Sequence, residues 1–240
     1  MTKSAARMAA CALASIALIH LSTPAAAEPF DDANAAVVRG DYALALRLFR
    51  DLAGHGDARA QNNLGQMFFE GLGVEKDYVE AARWFGLAAD QGNPRAQTSL
   101  GAMYLQGLGV PKSYTSALRL YRSAAEQHLP AAQSNLGAMY LHGYGVARDY
   151  GEAAKWYRLA ADGGFIDAQF ALGGLYSNGV GVPKDPVQAY FWLGLAAVRY
   201  PASESLLKAE AAKFRDQVAL EMSAAQIAQA QKLISEWKPK

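Results

Sequence analysis

A period of 36 residues constrains this chain more than any other feature. Ala-Gln recurs at Ala60-Gln61, Ala96-Gln97, Ala132-Gln133 and Ala168-Gln169, and Leu-Gly follows at Leu64-Gly65, Leu100-Gly101, Leu136-Gly137 and Leu172-Gly173. A Gly-x-Gly-Val element then closes each motif, at Gly71–Val74, Gly107–Val110, Gly143–Val146 and Gly179–Val182. Four units result: 57–92, 93–128, 129–164 and 165–200. A repeated unit of this size cannot bury its apolar face alone, so neighbouring units must stack into a quasi-one-dimensional array with one continuous core.

Within a unit the pattern predicts two antiparallel helices. Ala96, Leu100, Met103 and Tyr104 fall at i, i+4, i+7 and i+8, a helical apolar stripe. Asn93 is the expected N-cap with Pro94 at the first helical position, and Pro130 repeats the proline one unit on. Gly107 sits where a helix end takes a left-handed residue. The second helix opens at one phase throughout, at Asp77, Ser113, Asp149 and Asp185, with Asp77/Glu80 and Asp149/Glu152 spaced as capping boxes. Its core stripe in the second unit is Tyr114, Leu118, Tyr121 and Ala125. Gly65, Gly101, Gly137 and Gly173 stand in mid-helix, where glycine costs about 1 kcal/mol against alanine, so a neighbouring helix is expected to pass close by. The 49 alanines fit the same close packing.

The flanks read as caps. Residues 28–56 supply an atypical N-terminal helix pair in which Asp41, Tyr42, Ala45, Phe49 and Ala53 keep the second-helix phase. Residues 201–240 supply C-terminal capping helices, the last starting at Ser223. The fold class is therefore all-α: an α/α solenoid, a right-handed superhelix of stacked antiparallel helix pairs.

Residues 1–27 are read as a secretory signal. Lys3 and Arg7 precede an apolar run from Met8 to Leu21, and Ser22-Thr23-Pro24-Ala25-Ala26-Ala27 offers small residues for cleavage after Ala27. The run is shorter than the roughly 20 residues of a membrane span. The expected location is the periplasm or outside the cell, with no stable membrane insertion after cleavage. Cys11, the single cysteine, leaves with the signal. Without Lys3 and Arg7, 21 basic residues face 22 acidic ones, a near-neutral balance unlike that of a nucleic-acid binder.

Ala-Gln-x-x-Leu-Gly, Gly-x-Gly-Val, an Asp cap, Ala-Ala and Trp-Tyr together resemble the Sel-one-like repeat, a 36-residue relative of the tetratricopeptide repeat. The resemblance covers 57–200 in full units. It implies a protein-interaction scaffold, whose exported bacterial members include envelope-signalling regulators and factors at host or cell-wall interfaces. One branch clasps each helix pair with a disulfide; the mature chain has no cysteine, and what is specific to that branch is not carried over.

No constellation points to catalysis or a cofactor. The Gly-x-Gly elements lie between helices and lack both the preceding strand and the third glycine of a dinucleotide site. Ser205-Leu206-Leu207-Lys208 matches Ser-x-x-Lys without the accompanying Lys-Thr-Gly or Ser-Asp-Asn. His55, His128 and His142 show no metal-ligand spacing. Trp84, Trp156 and Trp192 share a core phase. Basic residues form two columns, Lys76/Lys112/Arg148/Lys184 and Arg47/Arg83/Arg119/Lys155, partly accounted for by pairing with Glu80 and Glu152.

Positions that differ between units are free for recognition. On the first helices these are Asn62/Thr98/Ser134/Phe170 and Gln66/Ala102/Ala138/Gly174. In tetratricopeptide-like solenoids the first helices line the concave surface, so the resemblance assigns these columns, with Asn63, Phe69 and Leu105, to a protein-binding groove. The expected function is a non-enzymatic periplasmic scaffold, an adaptor or regulator of envelope signalling. Its partner would be a protein or peptide segment, for example a sensor's periplasmic domain. The alternative is a cell-wall or exopolysaccharide-binding scaffold.

Overall fold

A computed structural model describes residues 29–240; the expected leader, residues 1–27 with Cys11, lies outside the described residues. The chain forms five successive helix pairs: α1 (Pro29–Val38) with α2 (Tyr42–Gly54), α3 (Ala58–Glu70) with α4 (Tyr78–Asp90), α5 (Pro94–Gln106) with α6 (Tyr114–Glu126), α7 (Pro130–His142) with α8 (Tyr150–Asp162), and α9 (Ile166–Asn178) with α10 (Pro186–Arg199). A 3-10 turn at Ala202–Glu204 leads to α11 (Ser205–Ala219) and α12 (Ala224–Glu236). There is no strand among the described residues. From α1 to α11 each helix packs on the next, and α12 returns to α10. This is the stacked α/α solenoid expected from the period, and none of its helices is long and apolar enough to cross a membrane.

Local chemistry sets the boundaries. Asp77 accepts the backbone N–H groups of Val79 and Glu80, and Asn93 those of Arg95 and Ala96. Gly71, Gly107, Gly143 and Gly179 end the first helices with left-handed φ between 66° and 79°. Two local expectations are corrected. The capping boxes at Asp77/Glu80 and Asp149/Glu152 are only half made. The backbone N–H groups of Asp77 and Asp149 already donate to Phe68 and Tyr140 carbonyls, so Glu80 turns to Arg83 and Glu152 to Lys155. Pro130 does start α7, but its N-cap is Leu129, which has no side chain able to cap. At Ser223 the box with Gln226 is complete.

The mid-helix glycines do mark a close approach. A Cβ at Gly101 would stand 2.8 Å from the Tyr121 ring, and Gly65, Gly137 and Gly173 meet Phe85, Tyr157 and Leu193 in the same way. Those partners are buried, so the first and second helices of a pair lock through a large side chain seated on a bare backbone. The second glycine of each Gly-x-Gly reaches the preceding unit instead. A Cβ at Gly109, whose φ is +67°, would lie 2.1 Å from the Tyr78 carbonyl oxygen at the start of α4. A third contact crosses each junction: buried Gln61, Gln97, Gln133 and Gln169 donate Nε2 to the carbonyls of Ala53, Ala89, Ala125 and Ala161, at 3.1–3.4 Å.

These contacts predict three stability effects. Gly109→Ala, strained in φ and clashing with backbone, should cost about 2 kcal/mol or more and lower the melting midpoint by roughly 4–8 °C. His128 occupies, at φ 61°, a left-handed position held by Gly56, Gly92 and Gly164 in the other units. His128→Gly should therefore raise the midpoint by about 1–2 °C, glycine's entropy cost offsetting part of the relieved strain. Burial pushes the Tyr157 hydroxyl up to about 12 and raises that of Tyr121 as well. Both groups favour the folded state while protonated. Their contribution is complete below the unfolded value near 10 and is lost as pH rises toward 12. Circular dichroism against pH should show cooperative alkaline unfolding in that window, later in Tyr157→Phe.

Candidate functional site

The first helices α3, α5, α7 and α9 present one row of side chains, and the positions that vary between units fall on it. The structure distributes six of the ten expected groove residues over three separate depressions. The first, about 360 Å³, is lined by Phe30 and Asn34 of the cap, Arg59, Asn62 and Asn63 of α3, and Asn93, Pro94 and Arg95 at the start of α5. The second, about 230 Å³, lies between the other ends of α3 and α5 and includes Gln66, Phe69, Ser99, Ala102 and Gln106. The third, about 250 Å³, joins Phe170, Ala171, Gly174, Ser177 and Asn178 of α9 to Phe214 of α11.

The expected residues do not contribute equally. Asn62, Asn63, Gln66, Phe69, Ala102 and Phe170 line these depressions and are half-buried. Thr98 is half-buried with its hydroxyl donating to the Pro94 carbonyl at 2.8 Å. Leu105 and Ala138 pack partly into the neighbouring core. Ser134 retains 7% exposure and presents almost no surface.

The lining chemistry changes along the row. At the N-terminal depression, Asn62 Nδ2 donates to Asn63 Oδ1 and Asn63 Nδ2 to Asn34 Oδ1, both at 3.2 Å. Arg59 pairs with Asp57 at 3.0 Å and lies 4.2 Å over the Phe30 ring. That hydrogen bond holds the Asp57 carboxyl below its usual range against the opposing effect of burial. In the second depression Gln66 donates to Glu70. The third is aromatic and aliphatic, with Phe170 and Phe214 rings 5.8 Å apart.

Asn34, Arg59, Arg95 and Phe214 are lining residues missing from the expected set. Arg59 and Arg95 share a phase with Ala131 and Asp167, so comparison of units contains a signal for them. Asn34 and Phe214 come from the caps, outside the repeat register, and only the packing of the caps brings them to the row.

Several of the remaining candidates have structural partners. Lys76, Lys112 and Arg148 lie over the rings of Tyr78, Tyr114 and Tyr150, while Lys184 pairs with Glu221 at 2.7 Å. Arg83 and Lys155 pair with Glu80 and Glu152. Trp192 is buried, whereas Trp84 and Trp156 are half-buried. The His55 ring contacts the Asp51 carbonyl oxygen at 2.8 Å, and His142 stacks on Tyr144. Ser205 opens α11 in an exposed position.

Comparison with known proteins follows this geometry closely. The family model described as Sel1 repeat matches residues 58–93, 94–129, 130–165 and 166–197. No match is found among curated proteins. Among solved structures, a Sel1 repeat protein from Oxalobacter formigenes is 34% identical with a TM-score of 0.63, over 72% of this chain and 49% of that one. A protective antigen of uropathogenic Escherichia coli strains, displaying an SLR fold, is 30% identical with a TM-score of 0.53, over 81% and 48%. A Sel1 repeat protein from Klebsiella pneumoniae shares the fold at 19% identity and a TM-score of 0.52, over 80% and 91%. The chain thus spans about half the length of the first two.

Variants should separate the row from its scaffold. Ala102→Arg, at the rim of the second depression, should fill it while leaving the melting midpoint within about 2 °C of wild type, because the side chain is half-exposed and can snorkel. Thermal melting followed at 222 nm checks this.

Proposed function

The chain belongs to the Sel1 repeat family, and from that premise we propose that it is an exported adaptor or regulator of envelope signalling that holds a protein partner against its first-helix row. Sel1 repeat proteins generally serve as non-catalytic protein–protein interaction scaffolds. The observation that carries the reading here is the row itself. Its three depressions lie where the repeat is free to vary, whereas the invariant Ala-Gln, Leu-Gly and Gly-x-Gly positions are consumed by stacking. The apolar run and small-residue cleavage site at 8–27 support export, and a sensor's periplasmic domain is the partner class that such an adaptor would hold.

The second-helix column favours one other reading. Arg47 and Arg119 are exposed and form no ion pair among the described residues, a feature that would suit an anionic cell-wall or exopolysaccharide polymer. Affinity capture from a periplasmic extract separates the two. Under the adaptor reading, wild type retains a membrane-protein partner that Gln66→Arg/Ala102→Arg loses and Arg47→Glu/Arg119→Glu keeps. The opposite pattern, with wild type sedimenting on purified sacculi, would establish the polymer reading instead.

A further inference from the structure

The outward face of α11 is not the polar surface that the end of a solenoid ordinarily turns to water. Ala211 and Val218 are buried in the clusters that α11 forms with α10. At about 100° per residue, the opposite side of the helix carries Leu206, Ala209, Lys213, Asp216 and Leu220. Leu206 is 86% and Leu220 87% exposed, at opposite ends of the helix. α12 packs on α10 and leaves this face bare. Between the two leucines, Ala209 and Ala212 floor a shallow depression of about 620 Å³, with Lys213, Asp216, Gln217 and Leu220 around it.

The five outward positions follow the 3-4-3-4 spacing of the seam between two paired helices. Their chemistry selects both the partner and its direction. In an antiparallel pair of identical helices, the first apolar position of the heptad on one helix faces the second on the other. Leu220 then lies over the small Ala209 of the second copy, and Lys213 meets Asp216 of the second copy. Each contact occurs twice by symmetry. A parallel pair would set Lys213 against Lys213 and Asp216 against Asp216, which repel. Both charges can take part: Lys213 forms no ion pair among the described residues, and Asp216 receives both Arg215 bonds on Oδ1, which leaves Oδ2 open. With one cation and one anion, the face has no net charge to draw it to an anionic polymer or lipid surface.

We propose that a second copy of this chain docks here, α11 against α11 in the antiparallel sense, to give a two-fold dimer. Phe214 lies on another side of α11, in the third depression with Phe170, so the dimer sets the apolar ends of the two first-helix rows on either side of the shared helix pair. One helix face about 22 Å long is at the small end of specific interfaces, and the dimer is accordingly weak, with a Kd of roughly 10–500 µM. The interface is separate from the groove, so Gln66→Arg/Ala102→Arg should dimerise like wild type.

Sedimentation equilibrium of residues 28–240, from about 10 µM to about 1 mM, should show a reversible monomer–dimer equilibrium. Leu220→Asp, at an exposed position, should weaken it by about tenfold or more with an unchanged circular dichroism spectrum. Lys213→Asp and Asp216→Lys should each weaken self-association by about tenfold or more, because each sets like charges in both contacts. An equimolar mixture of these two variants should form a heterodimer within about threefold of wild-type affinity, since both contacts then join Asp to Lys. A monomer at every concentration, a dimer that survives Leu220→Asp, charge variants that associate as well alone as wild type does, or a mixture of them that stays monomeric would overturn the proposal.

Discussion

Stacking in this solenoid depends on a buried glutamine at each junction. The carbonyls at the end of a helix have no partner within it, and those at the end of α2, α4, α6 and α8 face the next unit, away from water. Gln61, Gln97, Gln133 and Gln169 each reach back eight residues to give one of them a second donor. Those carbonyls also accept the backbone N–H groups of Gly56, Gly92, His128 and Gly164, so a hydrophobic side chain of the same size would remove their second hydrogen bond, at a cost of about 0.5–1.5 kcal/mol. The bond also sets the register between units, because a shift by one helical residue would lose it. At the first two junctions the glutamine is itself held from the far side, Gln91 donating to Gln61 at 2.7 Å and Gln127 to Gln97 at 3.0 Å. At the last two this position is Gly163 or Arg199, and Gln169 Oε1 is left without a partner.

That regularity divides the side chains between two tasks. Positions that contact a neighbouring unit are held by glycine, alanine, glutamine or a large buried ring, with little tolerance for change at packing distances near 3 Å. Between these constraints lie the positions of the first-helix row at which the four units diverge, among them Asn62, Gln66, Ala102 and Phe170, which line the depressions. The divergence is graded: amides and guanidinium groups at the first two units, Phe170 at the fourth with Phe214 of the C-terminal cap beside it. A partner lying along the row meets a polar, cationic end and an apolar end, which gives the interaction a direction.

The sequence made some elements easy to read and concealed others. Gly101 in mid-helix pointed to a close approach because its cost demands a compensating contact, and Tyr121 makes it. Asp77 and Ser223 were readable as caps because a short polar side chain before an apolar period has few other uses. The half-made boxes were not readable, since the competing acceptors, Phe68 and Tyr140 carbonyls, lie nine residues upstream across a loop. Thr98 and Ser134 looked equivalent by phase. Yet Thr98 is half-buried and folds its hydroxyl onto its own helix, while Ser134 is buried.

The sequence by itself determined the solenoid and the split between repeated and variable positions. Both follow from periodicity, which is a local property of the chain written four times over. Only the tertiary structure decided that the variable row is three depressions and not one groove, and that Asn34 and Phe214 belong to it. Those facts arise where the caps pack on the first and last repeats. No period runs across such a boundary, so side chains distant in sequence meet there without a pattern to announce them.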